Sequence, residues 1–408
     1  MTEALPVGTA PIFHDPYPEY HAMRAEAPLR YEPGWNGWSA TGYREVAALL
    51  REPRLKADRS ELFFDHLDDA RRAALEPLAR AHAGMMLFAD PPRHTRLRGL
   101  VNRAFTPRVV DALRGRVQAV IDGLLDAVVP AGRMDVVADL AYPLPTVVIA
   151  ELLGVPAADR DLLKAWSDDF AAFIGGQAGA PEIAERANAS VVAWTSYFHA
   201  VVEERRRAPG PDLISALLAA SERGDVLDED ELVATALLVL VAGHETTTNL
   251  IGNGLLALLH QPNQLALVRD DPALLRGAVE ELLRYDSPVQ VTSRMAGEDF
   301  AWEGHGFRAG QFVDLWLGAA NRDPAQFPNP DRLDVRREEV RHLAFGYGAH
   351  FCVGAPLARL EGQMALGTLL RRCPDVALDA ASDALTHHET TVFRALRSLP
   401  VVFTPPTG

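Results

Sequence analysis

Phe345-Gly346-Tyr347-Gly348-Ala349-His350-Phe351-Cys352-Val353-Gly354 runs straight into Ala355-Pro356-Leu357-Ala358-Arg359, and the reading of the chain turns on this stretch. Glycines at 346, 348 and 354 permit tight turning, and Leu357, Leu360 and Met364 then recur at helical spacing. The thiol of Cys352 therefore sits where a loop becomes a helix. A cysteine that ionises needs donors and positive potential around its sulfur, and a helix start offers both through unpaired N–H groups and the helix dipole. Gly348 and Gly354 leave room for a flat partner, and Phe345 can keep water from the sulfur. The plain alternative is a buried cysteine in a glycine turn.

A single thiolate with no CxxC and no histidine pair beside it cannot close a tetrahedral zinc site. It suffices for haem iron, whose porphyrin supplies four further bonds. The ten residues match in full the F-G-x-G-x-H-x-C-x-G signature of the cytochrome P450 family, which the chain thus resembles. The resemblance implies that Cys352 is the iron ligand of a haem b, with Phe345 and Gly346 lining the cofactor.

The composition is that of an ordinary globular protein. The chain has 408 residues, 48% hydrophobic and 23% charged, enough for a sizeable core. Length alone suggests two or three domains; the resemblance implies one catalytic domain over 1–408. Two cysteines, Cys352 and Cys373, are too few for a disulfide framework, which favours a reducing, cytoplasmic setting. A net charge of −15 argues against nucleic acid as the main partner. Met1 to Phe13 lacks a basic segment followed by an apolar run, and the apolar patch Ala236 to Gly243 is far below the ~20 residues that span a bilayer, so no membrane association is expected.

Along the chain, Asp15 to Ala27 reads as a first helix, and Leu29 to Glu32 with Gly37 to Thr41 as a hairpin around Pro33-Gly34. Met85 to Phe88 is either core, the reading its spacing favours, or the wall of an apolar cavity. Asp90-Pro91-Pro92 reads as a helix start with Asp90 as N-cap. His94 and Arg98 then share a face at i and i+4. For an isolated pair a solvated basic face is the simpler reading; the resemblance implies contact with a haem propionate. Thr106 to Gly210 is helical with breaks, among them a candidate lid hinge at 175–181, and Gly132 to Val137 reads as one strand.

Asp228 to about His260 is the longest helical stretch, opened by an Asp228…Glu231 capping pattern and stopped before Pro262. Leu237 to Val241 is apolar on every face, hence buried. Gly243-His244-Glu245-Thr246-Thr247-Thr248 is a poor continuation of such a helix, because each choice lowers helix propensity or costs desolvation. Local rules broken in a core suggest a site. Ala242-Gly243-His244-Glu245-Thr246-Thr247 resembles the family's A-G-x-D/E-T-T motif, which implies Glu245 as acid and Thr246 as alcohol in oxygen activation, with Ala242 and Gly243 against the haem. A polar stripe facing a water channel is the alternative; His244 and Thr247 are given no catalytic role.

Farther on, Glu281 and Arg284 lie three apart on one helical face, a spacing that most often marks a surface ion pair. The resemblance implies instead a structural pair that props the cysteine loop. It also places Arg294 and His350 on haem propionates. Alternation puts Val289 and Val291 on one face, candidates with Met86, Leu87, Val392 and Phe393 for the substrate cavity. Phe300 to Gly318 reads as antiparallel strands, Phe327 to Arg332 as a proline-rich meander, and Thr390 to Phe403 as a further hairpin.

The implied protein is mainly α with a small β-rich lobe, the cytochrome P450 fold, its haem between the long helix and the cysteine helix. The implied activity is O2-dependent monooxygenation, hydroxylation or epoxidation, of a mostly apolar small molecule. A peroxide-driven peroxygenase and a non-catalytic haem sensor are the alternatives. With no flavin domain, electrons come from another protein, by analogy ferredoxin with its reductase and NAD(P)H; Arg103, Arg108, Arg359, Arg371 and Arg372 are candidates for a basic docking face.

Overall fold

The computed structural model describes residues 11–65, 67–177, 180–221, 227–379 and 384–405. Helices dominate. The strands among these residues are β1 (Leu29–Glu32), β2 (Gly37–Ala40), β3 (Leu55–Lys56), β4 (Arg133–Asp135), β5 (Thr292–Ala296), β6 (Phe300–Trp302), β7 (His305–Phe307), β8 (Phe312–Leu315), β9 (Ala377–Leu378) and β10 (Pro400–Val402). The chain divides into two compact units, Met1–Lys56 with Ile121–Tyr142 and Thr246–Gly408, and Ala57–Val120 with Pro143–Glu245.

The first unit holds the sheets. Five strands run in the order β1-β2-β8-β5-β3, antiparallel except for the parallel pair β2 and β8. Leu29, Trp38, Ala40, Val313 and Leu315 from this sheet share a core with Phe300 and Phe307 of the β6–β7 hairpin, whose rings stack 4.7 Å apart. The hairpin expected at 29–41 and the helix expected at 15–27 are both present, the latter as Tyr17–Glu26. The strand reading of 300–318 ends early, because Leu317–Ala320 is already helical.

The C-terminal expectation needs correction. The hairpin is shifted, with His387 bridging antiparallel to Leu396 and the His388 N–H on the Ala395 carbonyl at 2.9 Å, while β10 lies between β4 and β9 and Phe393 in the turn bridges to Val289. Arg394 explains this, since its Nε donates to Asp286 at 2.8 Å and its carbonyl accepts from Asn253 Nδ2 at 2.8 Å, pinning the segment to distant partners.

Glu281 and Arg284, on the helix Leu275–Tyr285, have no solvent-accessible side-chain surface. Two parallel bonds join them, Nε to Oε2 at 2.7 Å and Nη2 to Oε1 at 2.8 Å. Arg284 spends its remaining donors on the carbonyls of Asn321 (2.9 Å), Pro330 (2.8 Å) and Arg332 (3.3 Å). Asn321 in turn accepts the Leu343 N–H on its Oδ1 at 2.7 Å, and the Leu343 carbonyl accepts from Gly346 N–H at 2.8 Å. A surface ion pair would do none of this; the buried guanidinium organises the proline-rich meander and, through Asn321, the entry to the cysteine loop.

The second unit is helical. Trp194, on the helix Pro181–Arg207, stacks on Phe198 at 4.1 Å and donates Nε1–H to the Val233 carbonyl at 3.3 Å. The predicted capping box holds, with Glu231 N–H on Asp228 at 2.7 Å and Asp228 N–H on Glu231 at 3.4 Å. Asp90 does not cap the helix Arg93–Ala104 with its side chain. Its carboxylate accepts from the N–H groups of Ala57 (2.9 Å) and Asp58 (3.2 Å), while its carbonyl receives the His94 N–H, so a distant turn has recruited the side chain. The proposed hinge begins as a π-helix, Phe173–Gln177; residues 178–179 lie outside the described residues.

One buried acid has no counterpart in the expectations. Glu361, on the helix Ala355–Arg372, is 1% exposed, and neither carboxyl oxygen has a hydrogen-bond partner among the described residues. Burial pushes its carboxyl up to about 8. The folded protein therefore keeps a proton there that the unfolded chain releases near the ordinary 4.5.

Two stability outcomes follow from these buried charges. Arg284→Met leaves Glu281 with only Arg337 Nε at 3.1 Å and the Asp334 N–H at 2.9 Å among these bonds and deprives three carbonyls of a donor, so urea unfolding should show a loss of about 3–5 kcal/mol. The double variant Glu281→Met with Arg284→Met should cost less than the two single losses added together; strict additivity would contradict the coupling. For Glu361, stability is full below the unfolded-state value and declines as pH rises toward about 8, with a slope of at most about 1.4 kcal/mol per pH unit. Glu361→Gln should therefore gain in melting temperature relative to the unaltered protein between pH 5 and pH 8.5, and a constant difference would contradict a buried protonated acid.

Candidate active site

The cysteine loop is held by its own backbone. Cys352 N–H donates to the Phe345 carbonyl at 2.9 Å, and Phe351 N–H to Gly348 at 3.1 Å. Gly346 and Gly348 adopt left-handed φ values of +69° and +79°, where a side chain would be strained. Gly354 differs: its φ is −79°, and a Cβ there would meet only Cys352 Sγ at 3.8 Å, an ordinary contact. Its smallness serves the space outside the loop rather than the turn.

Phe345 is clamped from both sides. The Arg359 guanidinium lies over its ring at 4.6 Å and the His342 ring lies 5.6 Å away. Both side chains converge on Glu280, with Arg359 bidentate at 2.6 and 2.8 Å and His342 at 3.2 Å. Burial raises the Glu280 carboxyl, but these two partners more than offset it and bring it down to about 2. Glu280 and His342 were not singled out in the sequence; the tandem acids before Leu282 were the available signal, read only for Glu281.

The long helix spans Glu229–Leu259, roughly 46 Å at ~1.5 Å per residue. Leu240, Val241, His244 and Thr247 to Leu250 are buried, whereas Ala242 is exposed and Gly243, Glu245 and Thr246 are half-buried. Ala242, Glu245 and Thr246, at i, i+3 and i+4, form one face, so the buried helix is open on one side for about one turn. Gly243 is required by a close approach on the covered side, since a Cβ would lie 2.7 Å from Ile149 Cδ1. His244 points away from the open face, with Nδ1 3.0 Å from the Leu240 carbonyl and 3.3 Å from Ser167 Oγ.

The other expected residues divide between the units. In the second, His94 is buried and Arg98 is half-buried with Nε on Asn102 Oδ1 at 3.2 Å. In the first, Arg294 on β5 is 6% exposed and bonds the Ser293 carbonyl at 2.8 Å, and His350 ends the short helix Gly348–His350. Of the substrate candidates, Val289 meets Phe393 in a bridge, and Val392 gives its carbonyl to Gln290 N–H at 2.8 Å. Val291 is corrected: it lies in a core with Tyr20, Trp316 and Ala319, whereas Val289 packs on the other core, because β5 begins only at Thr292 and the two do not share a face. Met86 is buried and Leu87 half-buried on the short helix Met86–Phe88. Arg359, a docking candidate, pairs with Glu280 while its side chain stays partly exposed.

The donor set fits a haem. Among the described residues no group of three or more His, Cys, Asp or Glu side chains can hold a metal ion, so Cys352 suits a metal that brings most of its own ligands. Four candidate cations, His94, Arg98, Arg294 and His350, suit the two carboxylates such a cofactor carries.

Residues 181–383 match the profile of the family described as Cytochrome P450. The chain is 44% identical to Cytochrome P450 monooxygenase PikC of Streptomyces venezuelae, over 95% of this chain and 91% of that protein. It is 42% identical to the Vitamin D(3) 25-hydroxylase of Pseudonocardia autotrophica, over 99% and 98%. The crystal structure of P450BioI with hexadec-9Z-enoic acid ligated acyl carrier protein superposes with a TM-score of 0.90 at 39% identity, covering 97% of this chain and all of that one. No helix among the described residues is long and apolar enough to cross a membrane. With relatives of this identity aligned from end to end, and with a lone thiol at a glycine-turned helix start, the chain belongs to the cytochrome P450 family of haem-dependent monooxygenases.

Proposed function

We propose that Cys352 would hold the haem iron of this monooxygenase through its thiolate, and that Phe345, Gly346, Ala242 and Gly243 would line the cofactor. The observation that carries this reading is the single open turn, Ala242 to Thr246, on a helix buried above and below it. Bound haem supplies the electron-transfer chemistry that activates O2. The chain's own residues do the rest. Cys352 donates charge; His94, Arg98, Arg294 and His350 hold the propionates; Glu281 and Arg284 hold the loop. Glu245 takes protons from the solvent side and Thr246 presents them at the open face through its hydroxyl, which is general-acid work governed by geometry.

The chain acts as one catalytic domain in the cytoplasm, a reading supported by relatives matched along their length and by two free cysteines. The substrate is an extended, mostly apolar molecule, as the vitamin D3 and hexadecenoic acid named with its relatives suggest. Electrons come from a redox partner, which we take to be a ferredoxin. Among the candidate docking residues Arg103, Arg108 and Arg371 are exposed, whereas Arg372 is held by Asp126 at 2.7 Å. No observation favours a peroxygenase or a sensor.

Two outcomes test this reading. Thr246→Ala should lower product formed per O2 consumed by about tenfold while the same variant driven by hydrogen peroxide keeps most of its activity; equal losses in both assays would contradict proton delivery by Thr246. Substituting Arg103, Arg108 and Arg371 by Glu should slow reduction by ferredoxin about tenfold at low salt and flatten its salt dependence. Stopped-flow rates unchanged at every salt concentration would remove the docking face.

A further inference from the structure

His244 sits between two carboxylates on different helices. Its Nε2 lies 3.7 Å from Glu245 Oε2 on its own helix and 3.8 Å from Asp168 Oδ1 on the helix Arg160–Ala172. The ring is 1% exposed, whereas the Asp168 and Glu245 side chains are 43% and 23% exposed. Asp168 also carries Lys164 on its other oxygen at 3.0 Å. The ring's second nitrogen is fixed: the Leu240 carbonyl 3.0 Å away can only accept, so Nδ1 bears the hydrogen. Ser167 Oγ, 3.3 Å from the same nitrogen, completes the clamp.

We infer that His244 is a proton-relay and positioning residue, linking solvent at Asp168 to the carboxylate of Glu245 through Nε2. This rests on the proposed role of Glu245 and supplies its proton source. Protonated Asp168 gives its proton to Nε2, forming an imidazolium flanked by two carboxylates. The imidazolium then gives that proton to Glu245 Oε2 and returns to the neutral Nδ1–H form. One proton moves, no electron does, and no tautomer change is needed, because the same nitrogen receives and releases. Both Nε2 distances exceed a hydrogen bond by about 1 Å. The clamped ring stays put, and the two partly exposed carboxylates close the gaps alternately. Asp168 and Glu245 both face Nε2, and Lys164 is the cation paired with Asp168.

The test combines a titration that needs no substrate with a turnover assay. In the diamagnetic ferrous carbon-monoxide form, the His244 ring is assigned by its loss in His244→Gln and titrated by nitrogen-15 NMR. Asp168→Asn and Glu245→Gln should each move the Nε2 resonance and change how it responds to pH. In O2-driven turnover of vitamin D3 or hexadecenoic acid, His244→Gln should lower product per O2 about fivefold and enlarge the solvent deuterium isotope effect, with hydrogen-peroxide-driven turnover retained. Asp168→Asn, at an exposed position, should reproduce the isotope effect even if His244→Gln folds poorly. A ring titration unmoved in both carboxylate variants, or His244→Gln coupled as well as the unaltered enzyme, overturns the relay. Failure of the monooxygenase reading looks different, since the unaltered enzyme would then form no O2-dependent product while the ring titration still reports on the relay.

Discussion

A guanidinium with no access to water organises the half of the molecule that carries the thiol. Arg284 satisfies itself with one carboxylate and three carbonyls, and each bond fixes a segment that has no regular secondary structure of its own. A charge this deeply buried is tolerated only when every donor finds a partner, so the meander has little freedom to go elsewhere. Asn321 passes the constraint to Leu343 and so to Gly346. The cysteine loop is thus positioned from behind by hydrogen bonds and from the side by Glu280, which gathers Arg359 and His342 around Phe345. Two adjacent acids on one helix, Glu280 and Glu281, hold the two ends of the same support.

The long helix is built on the opposite principle. It is buried by apolar packing along most of its length, and its chemistry lies where that packing is interrupted. Gly243 lets the helix press against Ile149 on the covered side, while Ala242, Glu245 and Thr246 face the opening. His244, on the covered side, faces Ser167 and Asp168 and leaves one nitrogen to the acids. The glycine that permits close packing and the polar residues that weaken the helix belong to one arrangement, in which a turn is exposed on one face and wired to solvent through the other.

What could be read from the sequence follows the range of the interactions involved. The cysteine loop is local, its glycines being demanded by positive φ within three residues of each other, and it was legible at once. The Asp228–Glu231 capping box and the β6–β7 hairpin are equally local. Asp90 was misread because its carboxylate is taken by a turn thirty-odd residues earlier, which no local pattern announces. The C-terminal hairpin was misplaced for the same reason: it closes between His387 and Leu396, while β10 finds its partner β4 far back in the chain. Arg359 looked like a free surface cation because nothing in its neighbourhood points to Glu280. Val291 was misassigned by extending the strand period back to Val289, three residues before the strand begins. His244 was given no catalytic role, because the sequence around it does not point to Asp168, seventy-six residues away in the chain.

The central claim is that the sulfur of Cys352 binds the haem iron as an anion, held by a loop that Arg284 and Glu280 support. The most direct measurement is the absorption spectrum of the ferrous carbon-monoxide complex. The unaltered protein should show the red-shifted band of a thiolate-ligated haem, and Cys352→His should bind haem yet lose that band in favour of an imidazole-type spectrum. A Cys352→His protein that keeps the thiolate band would contradict the assignment of the ligand.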